Sequence, residues 1–267
     1  RVEQLVRDPR IRAVTLTGSD PAGRAVARTA GETLKKTVLE LGGSDPFVIL
    51  EDADLETAIS TAVTARTLNN GQSCIAAKRF LVAEPIADEF ERRFSGAMAA
   101  LTLGDPLDPA TDVGPLATAA IRDELAAQVD TTVDAGGRLL LGGKPVQGPG
   151  YFYPPTVVAD PPPGSPLRIE ETFGPAAAVL RFDTVEQAIE LANETEFGLG
   201  ASVWTRHADS AAQFISRIET GSVFVNGMVA SDPRLPFGGV KNSGYGRELA
   251  AYGLREFLNI KTVWIGD

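Results

Sequence analysis

Short apolar runs of strand character alternate with amphipathic stretches of helical period along most of the chain. Ala13-Val-Thr-Leu-Thr17, Lys36-Thr-Val-Leu-Glu40 and Pro46-Phe-Val-Ile-Leu50 read as strands, as do Phe80–Ala83, Ala176–Arg181, Ala201–Thr205 and Ser222–Asn226. Leu55, Ile59, Ala62 and Val63 recur at i, i+4, i+7 and i+8, which is one face of a helix. Ile86, Phe90, Phe94 and Met98 form a second such stripe, Val185, Ala188, Ile189 and Ala192 a third, and Ala211, Phe214, Ile215 and Ile218 a fourth. Strands separated by helices at these intervals predict an α/β fold with mostly parallel strands, because parallel neighbours need a crossover between them. Gly18-Ser19 turns the first strand into a helix beginning near Asp20-Pro21, with Ser19 as its predicted N-cap and proline tolerated in the first turn. Glycine and proline cluster in Gly104–Pro115, Gly142–Pro155 and Pro161–Pro166, which read as connections and not as linkers. Asn259–Ile265 is predicted to be extended, and such a terminal segment either covers a sheet edge or pairs with another subunit.

Composition narrows the chemistry. Among 267 residues, 25 basic against 35 acidic side chains leave a formal charge of −10, which disfavours nucleic acid and anionic membrane as partners. One cysteine excludes a disulfide framework within the chain, and one histidine excludes a multi-histidine metal site. No uncharged apolar run approaches the roughly 18–20 residues of a membrane span, and no secretory leader is visible. The expectation is a cytoplasmic globular protein that binds no metal.

Cys74 lies in Asn69-Asn-Gly-Gln-Ser-Cys-Ile-Ala, just past a helix and off any apolar stripe. A lone cysteine is commonly an inert buried hydrophobe. Here the glycine and amide-rich loop suits close approach to a ligand, and no other nucleophile has a recognisable partner. His207, in a helix's first turn, reads as solvated, so a functional Cys74 has to manage without imidazole. Glu40 ends a strand just before Gly42-Gly43, where its carboxyl projects at the carboxyl edge of a sheet, the edge at which α/β folds gather ligands. Thr17-Gly18-Ser19 sets a glycine and a hydroxyl at a helix N-terminus after a strand, an arrangement suited to a pyrophosphate.

Taken together, Leu39-Glu-Leu-Gly-Gly43, Asn70-Gly-Gln-Ser-Cys74, Glu170-Glu-Thr-Phe-Gly-Pro175 and Pro236-Phe-Gly-Gly-Val-Lys-Asn-Ser-Gly244 resemble, in content and order, the motifs of aldehyde dehydrogenases. Ser243-Gly-Tyr-Gly-Arg-Glu-Leu249 looks most like the succinate-semialdehyde branch of that family. The resemblance implies an aldehyde dehydrogenase-like fold: the end of a Rossmann-type cofactor domain over residues 1–42, an α/β catalytic domain over 43–247, and a helix with an oligomerisation strand over 248–267. It implies oxidation of a small aldehyde, with NAD or NADP, in a homodimer or homotetramer. Cys74 would be the nucleophile and Glu40 the base that activates water. Gly18 and Ser19 would hold the pyrophosphate, Leu41, Glu171 and Phe173 would contact the cofactor, and Ser243 would meet the acyl tail or its carboxylate. Against this stand two other expectations: a non-catalytic oligomerising remnant of the fold, and a thiol esterase or acyl-transferase. The family's first strands, adenosine-ribose contacts and oxyanion asparagine have no counterpart here, so the chain resembles the C-terminal part of the enzyme and is not expected to oxidise aldehydes alone. Leu68 stands where some succinate-semialdehyde enzymes have an arginine, with Arg66 two positions too early. Ala76 leaves no second thiol for a local disulfide.

Overall fold

In the computed structural model, which describes residues 1–267, period-two alternation in the strands sorts apolar side chains onto two covered faces of a central sheet. The strands are β1 (Ala13–Thr17), β2 (Lys36–Glu40), β3 (Pro46–Ile49), β4 (Arg79–Ala83), β5 (Arg138–Leu141) and β6 (Thr156–Ala159). They continue as β7 (Ala176–Phe182), β8 (Phe197–Gly198), β9 (Gly200–Trp204), β10 (Ser222–Val225), β11 (Val240–Lys241) and β12 (Gly244–Tyr245). The helices are α1 (Val2–Arg7), α2 (Asp20–Glu32), α3 (Leu55–Thr67), α4 (Glu84–Ala99) and α5 (Ala119–Asp134). After them come α6 (Pro166–Ile169), α7 (Val185–Asn193), α8 (Ala208–Arg217) and α9 (Ala250–Glu256).

Seven strands form the main sheet in the order β10-β9-β3-β4-β7-β6-β5, every pair parallel except β5 with β6. Phe47 and Ile49 of β3 and Phe80 and Val82 of β4 point to one face, where Ala58, Ile59 and Ala62 of α3 and Phe90, Phe94 and Met98 of α4 cover them. Val48 and Leu81 point to the other face and meet Leu125 and Val129 of α5, Ala188 and Ile189 of α7 and Phe214 of α8. With both faces buried, these strands are apolar throughout, as parallel sheets require. Phe80 and Phe94 pack with ring centroids 4.7 Å apart, and each fully buried phenyl contributes roughly 1.5–3 kcal/mol of transfer free energy.

All seven predicted strands and all four predicted stripes occur, with one correction: Ile215 is 55% exposed. It lies one residue, about 100° of helical rotation, from the buried Phe214 and so falls outside the arc that α8 turns to the sheet. Several elements escaped the pattern, among them α1, α5, β5 and β6. On α5, Gln128 and Thr132 share the buried face with Leu125 and Val129, which blurs the stripe. The four-residue strands β5 and β6 are too short for periodicity to separate from loop.

A smaller sheet, β1-β2-β12, carries the turn that matters for function. β1 and β2 are parallel with Thr17 opposite Glu40, and the Gly18 amide donates to the Glu40 carbonyl at 3.0 Å. β12 runs antiparallel to β2, with Gly244 opposite Glu40. Between Glu40 and Pro46 the chain crosses from this sheet to the large one. The predicted terminal strand has no ladder partner within the chain, and Ile260, Val263, Trp264 and Ile265 are 72–89% exposed. No helix is long and apolar enough to cross a membrane.

Candidate active site

Cys74 is held by a backbone reversal that only a few residue types tolerate. After α3 the chain enters a 3₁₀ turn, Leu68–Gly71, in which Asn69, Asn70 and Gly71 have φ of 51°, 57° and 75°. Asparagine and glycine adopt this left-handed region at little cost. A Cβ at Gly71 would lie 2.4 Å from the carbonyl carbon and oxygen of Gly174, so the close approach needs glycine. Amide side chains fasten the turn. Asn70 accepts from the Gly114 amide at 2.9 Å and donates to the Pro115 carbonyl at 3.2 Å, while Gln72 accepts from the Ala117 amide at 2.8 Å. Arg66, fully buried, donates to the Gly71 carbonyl at 2.8 Å.

The half-buried Cys74 opens onto a cavity of about 820 Å³. Burial pushes its thiol above the ordinary cysteine value. The Lys78 ammonium opposes that rise, Asp45 and Glu171 add to it, and the adjacent Ile75 amide lowers it. Glu40 lines the same cavity from the end of β2 and is only 3% exposed. Neither of its carboxylate oxygens has a hydrogen-bond partner within the protein. Burial therefore pushes its pKa up to about 8, with the Glu248 charge adding to the rise and Arg247 opposing it.

Gly18 and Ser19 meet the cavity at the N-terminus of the 13-residue helix α2. Ser19 occupies the predicted N-cap position but makes no side-chain cap bond, which leaves its hydroxyl free. Leu41 and Phe173 line the wall. Glu171, in the segment after α6, accepts the Gly43 amide at 2.9 Å, and a Cβ on Gly42 would come within 2.5 Å of its carboxylate. The structure thus brings seven of the eight sequence-predicted positions to one cavity, and Ser243 is the exception. It is fully buried, with its hydroxyl donating to the Gly42 carbonyl at 2.7 Å and accepting the Gly198 amide at 3.0 Å. Both of these bonds are made to backbone, so the hydroxyl braces the turn after Glu40 and is not presented to a ligand. Leu68 is 40% exposed and does not line the cavity. His207 stands at the N-cap of α8, 3.8 Å from Asp52 and outside the cavity.

Two residues here were not singled out from sequence. Gln128 of α5 reaches the cavity and donates to Glu170 at 2.9 Å and to the Glu171 carbonyl at 3.1 Å, steadying that segment. Lys78 is fully buried beneath Cys74; its only sequence cue is a lysine flanked by Ala76-Ala77 and Phe80.

A half-buried thiol, an unpartnered carboxylate and a helix-terminal glycine turn face one cavity. Residues 1–263 match the model of the aldehyde dehydrogenase family, and the chain belongs to that family. It is 60% identical over 266 residues to a succinate-semialdehyde dehydrogenase [NADP(+)] of Mycobacterium avium, covering 100% of this chain and 56% of the relative. It is 57% identical over 264 residues to succinate-semialdehyde dehydrogenase [NADP(+)] 1 of Mycobacterium tuberculosis, covering 99% and 58%. Among solved structures, succinic semialdehyde dehydrogenase from Streptococcus pyogenes in complex with NADP+ superposes with a TM-score of 0.96 at 38% identity, covering 100% of this chain and 58% of that one. The chain therefore spans somewhat more than half the length of the curated relatives it matches.

Proposed function

We propose that this chain forms the catalytic part of an NADP-dependent aldehyde dehydrogenase that oxidises succinate semialdehyde through a thioester on Cys74. The observation that carries the reading is the meeting of Cys74, Glu40, Glu171 and the Gly18-Ser19 turn at one cavity. The names of the relatives support the substrate and the choice of NADP.

The residues present fit a nicotinamide dinucleotide. The α2 N-terminus, with the uncapped Ser19 hydroxyl, suits a pyrophosphate, and the Glu171 carboxylate suits ribose hydroxyls. Leu41 and Phe173 supply apolar wall beside it. A nicotinamide bound there would supply the hydride acceptor. The Cys74 thiol, its proton passing to solvent, would form a carbon–sulfur bond to the aldehyde carbon and give a thiohemiacetal; loss of the hydroxyl proton to solvent and of the C–H hydrogen as hydride would leave a thioester. Glu40 then takes a proton from water as the hydroxyl attacks the thioester carbon, and the carbon–sulfur bond breaks to release the acid and the thiolate. A carboxyl group with a pKa of about 8 is a stronger base than an ordinary glutamate, and its ionised, base-competent fraction grows as pH rises towards 8.

The division at 42/43 and 247/248, with residues 1–42 completing a cofactor domain, belongs to this reading. So does a homodimer or homotetramer joined through the exposed apolar residues at 260–265. A single cysteine without a disulfide suits the cytoplasm. The experiment is Cys74→Ala in the full-length protein, with kcat/KM compared for succinate semialdehyde and butanal. Abolished oxidation, and in the parent a clear preference for the semialdehyde with NADP, are expected. Near-native turnover by the variant would overturn the mechanism, and equal kcat/KM values would overturn the substrate. Ester hydrolysis without any nicotinamide requirement would point to acyl transfer instead.

A further inference from the structure

Lys78 is the one ammonium buried directly behind the nucleophile loop. It is fully buried, and its Nζ donates to the carbonyls of Ser73 at 3.0 Å, Cys74 at 2.8 Å and Ala76 at 3.0 Å. The nearest carboxylate, Glu171, is 3.9 Å away. Its own backbone amide is held by the Asp45 carbonyl at 3.1 Å, which anchors the stem of the side chain to the start of β3. We infer that Lys78 is the positioning residue of Cys74, clamping three loop carbonyls so that the intervening peptide amides face the sulfur side and placing a buried positive charge behind the thiolate.

Peptide geometry carries the first half of this inference. In a planar trans peptide, C=O and N–H point in opposite directions. Drawing the Ser73 and Cys74 carbonyls onto Lys78 therefore turns the amides of Cys74 and Ile75 away from it. The adjacent Ile75 amide favours the Cys74 thiolate, as that orientation implies. Without the ammonium, the Cys74 and Ala76 carbonyls would lose their donor, and the Ser73 carbonyl would keep only its bond from the Ala76 amide at 3.1 Å. Three acceptors match the three donors of an ammonium, whereas an uncharged side chain leaves some of them bare.

Charge carries the second half. Lys78 faces Cys74 from the loop itself, Asp45 from the turn before β3, Glu171 from the segment after α6, and Arg66 approaches from the end of α3. Asp45 and Glu171 both disfavour the thiolate, and Lys78 is the largest influence in its favour. Burial lowers the pKa of Lys78 itself to about 8, with Arg66 adding to the fall, while the Glu171 and Asp45 carboxylates and the Cys74 thiolate as it forms favour its charged form.

The inference rests on Cys74 as the nucleophile, and its test is made without aldehyde or cofactor so that the two can fail separately. Iodoacetamide alkylation of the Cys74 peptide is followed by mass spectrometry across pH in the full-length protein and in Lys78→Met, Lys78→Gln and Lys78→Arg. Loss of the charge in Lys78→Met or Lys78→Gln is expected to move the alkylation inflection up by about 1 pH unit or more and to slow labelling at pH 8 by roughly tenfold. Lys78→Arg, which keeps the charge, is expected to retain most of the parent profile. An unchanged inflection in a folded Lys78→Met or Lys78→Gln variant overturns the inference. If all three variants fail to fold, the lysine is a structural strut and the inference falls as well. Neither result bears on whether Cys74→Ala abolishes aldehyde oxidation.

Discussion

The Ser243 hydroxyl donates a 2.7 Å hydrogen bond to the Gly42 carbonyl, joining positions 201 residues apart beside the cavity that Gly42 lines. The same oxygen accepts the Gly198 amide, and the Ser243 carbonyl accepts the Leu41 amide at 3.0 Å. One buried residue thus braces the turn that carries Glu40 into Gly42-Gly43. Ser243→Ala would leave a buried carbonyl and a buried amide without their partner, a loss of roughly 1–3 kcal/mol. Urea unfolding is expected to show that loss, with reduced kcat and little change in aldehyde KM. A substrate-contact role would instead raise KM at unchanged stability.

Glu40 ties activity and stability to pH in opposite directions. Its carboxyl rises from 4.5 to about 8 in the folded protein, so the folded state holds the proton more tightly than the unfolded chain. The contribution to stability is therefore full below about pH 4.5, declines between the two values, and is lost above about pH 8. Glu40→Gln, neutral at every pH, is expected to match the parent at pH 4.5 and to exceed it at pH 9 by an amount on the order of 2–4 kcal/mol. Thermal melts at the two pH values check the sign; equal differences at both would refute it. Steady turnover of the same variant is expected to fall by about 10²–10⁴.

Gly71→Ala is expected to be severe. The position has φ +75°, and the new methyl carbon would stand 2.4 Å from backbone atoms of Gly174, which cannot swing aside as a side chain can. Strain and overpacking together are expected to cost about 3 kcal/mol or more and to displace Cys74. A denaturant midpoint within error of the parent would show that the loop tolerates the methyl group.

Gly23→Ala separates stability from binding. In α2 the change favours the helix by about 1 kcal/mol, but the methyl carbon would lie 2.6 Å from both δ-carbons of Leu41. Leu41 lines the cavity and is the group free to move, so it would be driven toward the cofactor space. Near-parental stability with a several-fold rise in NADP KM is the expected pattern. An unaltered KM would mean that Leu41 relaxes elsewhere.

The stripes of α3, α4 and α7 were legible because a helix repeats its buried face every three to four residues, and that repeat survives in the order of residues alone. Cys74, Glu40 and the Gly18-Ser19 turn were legible for a related reason: each sits in a short motif at an element's end, where glycine and small polar residues announce a turn. Other features depended on which distant segments stack together. The buried face of α5 contains Gln128 and Thr132, polar residues that take up their tertiary partners only when the segment at 167–171 packs against them. Lys78 looks like any lysine until three carbonyls close around it. The raised pKa of Glu40, the bracing role of Ser243 and the clash awaiting a side chain at Gly71 likewise arise from neighbours remote in sequence. The order of residues determined most of the elements and marked the candidate groups, because both leave traces in local spacing. Tertiary structure alone decided how those groups are oriented, desolvated and charged, because dielectric and hydrogen-bond partners are properties of the space that folding encloses.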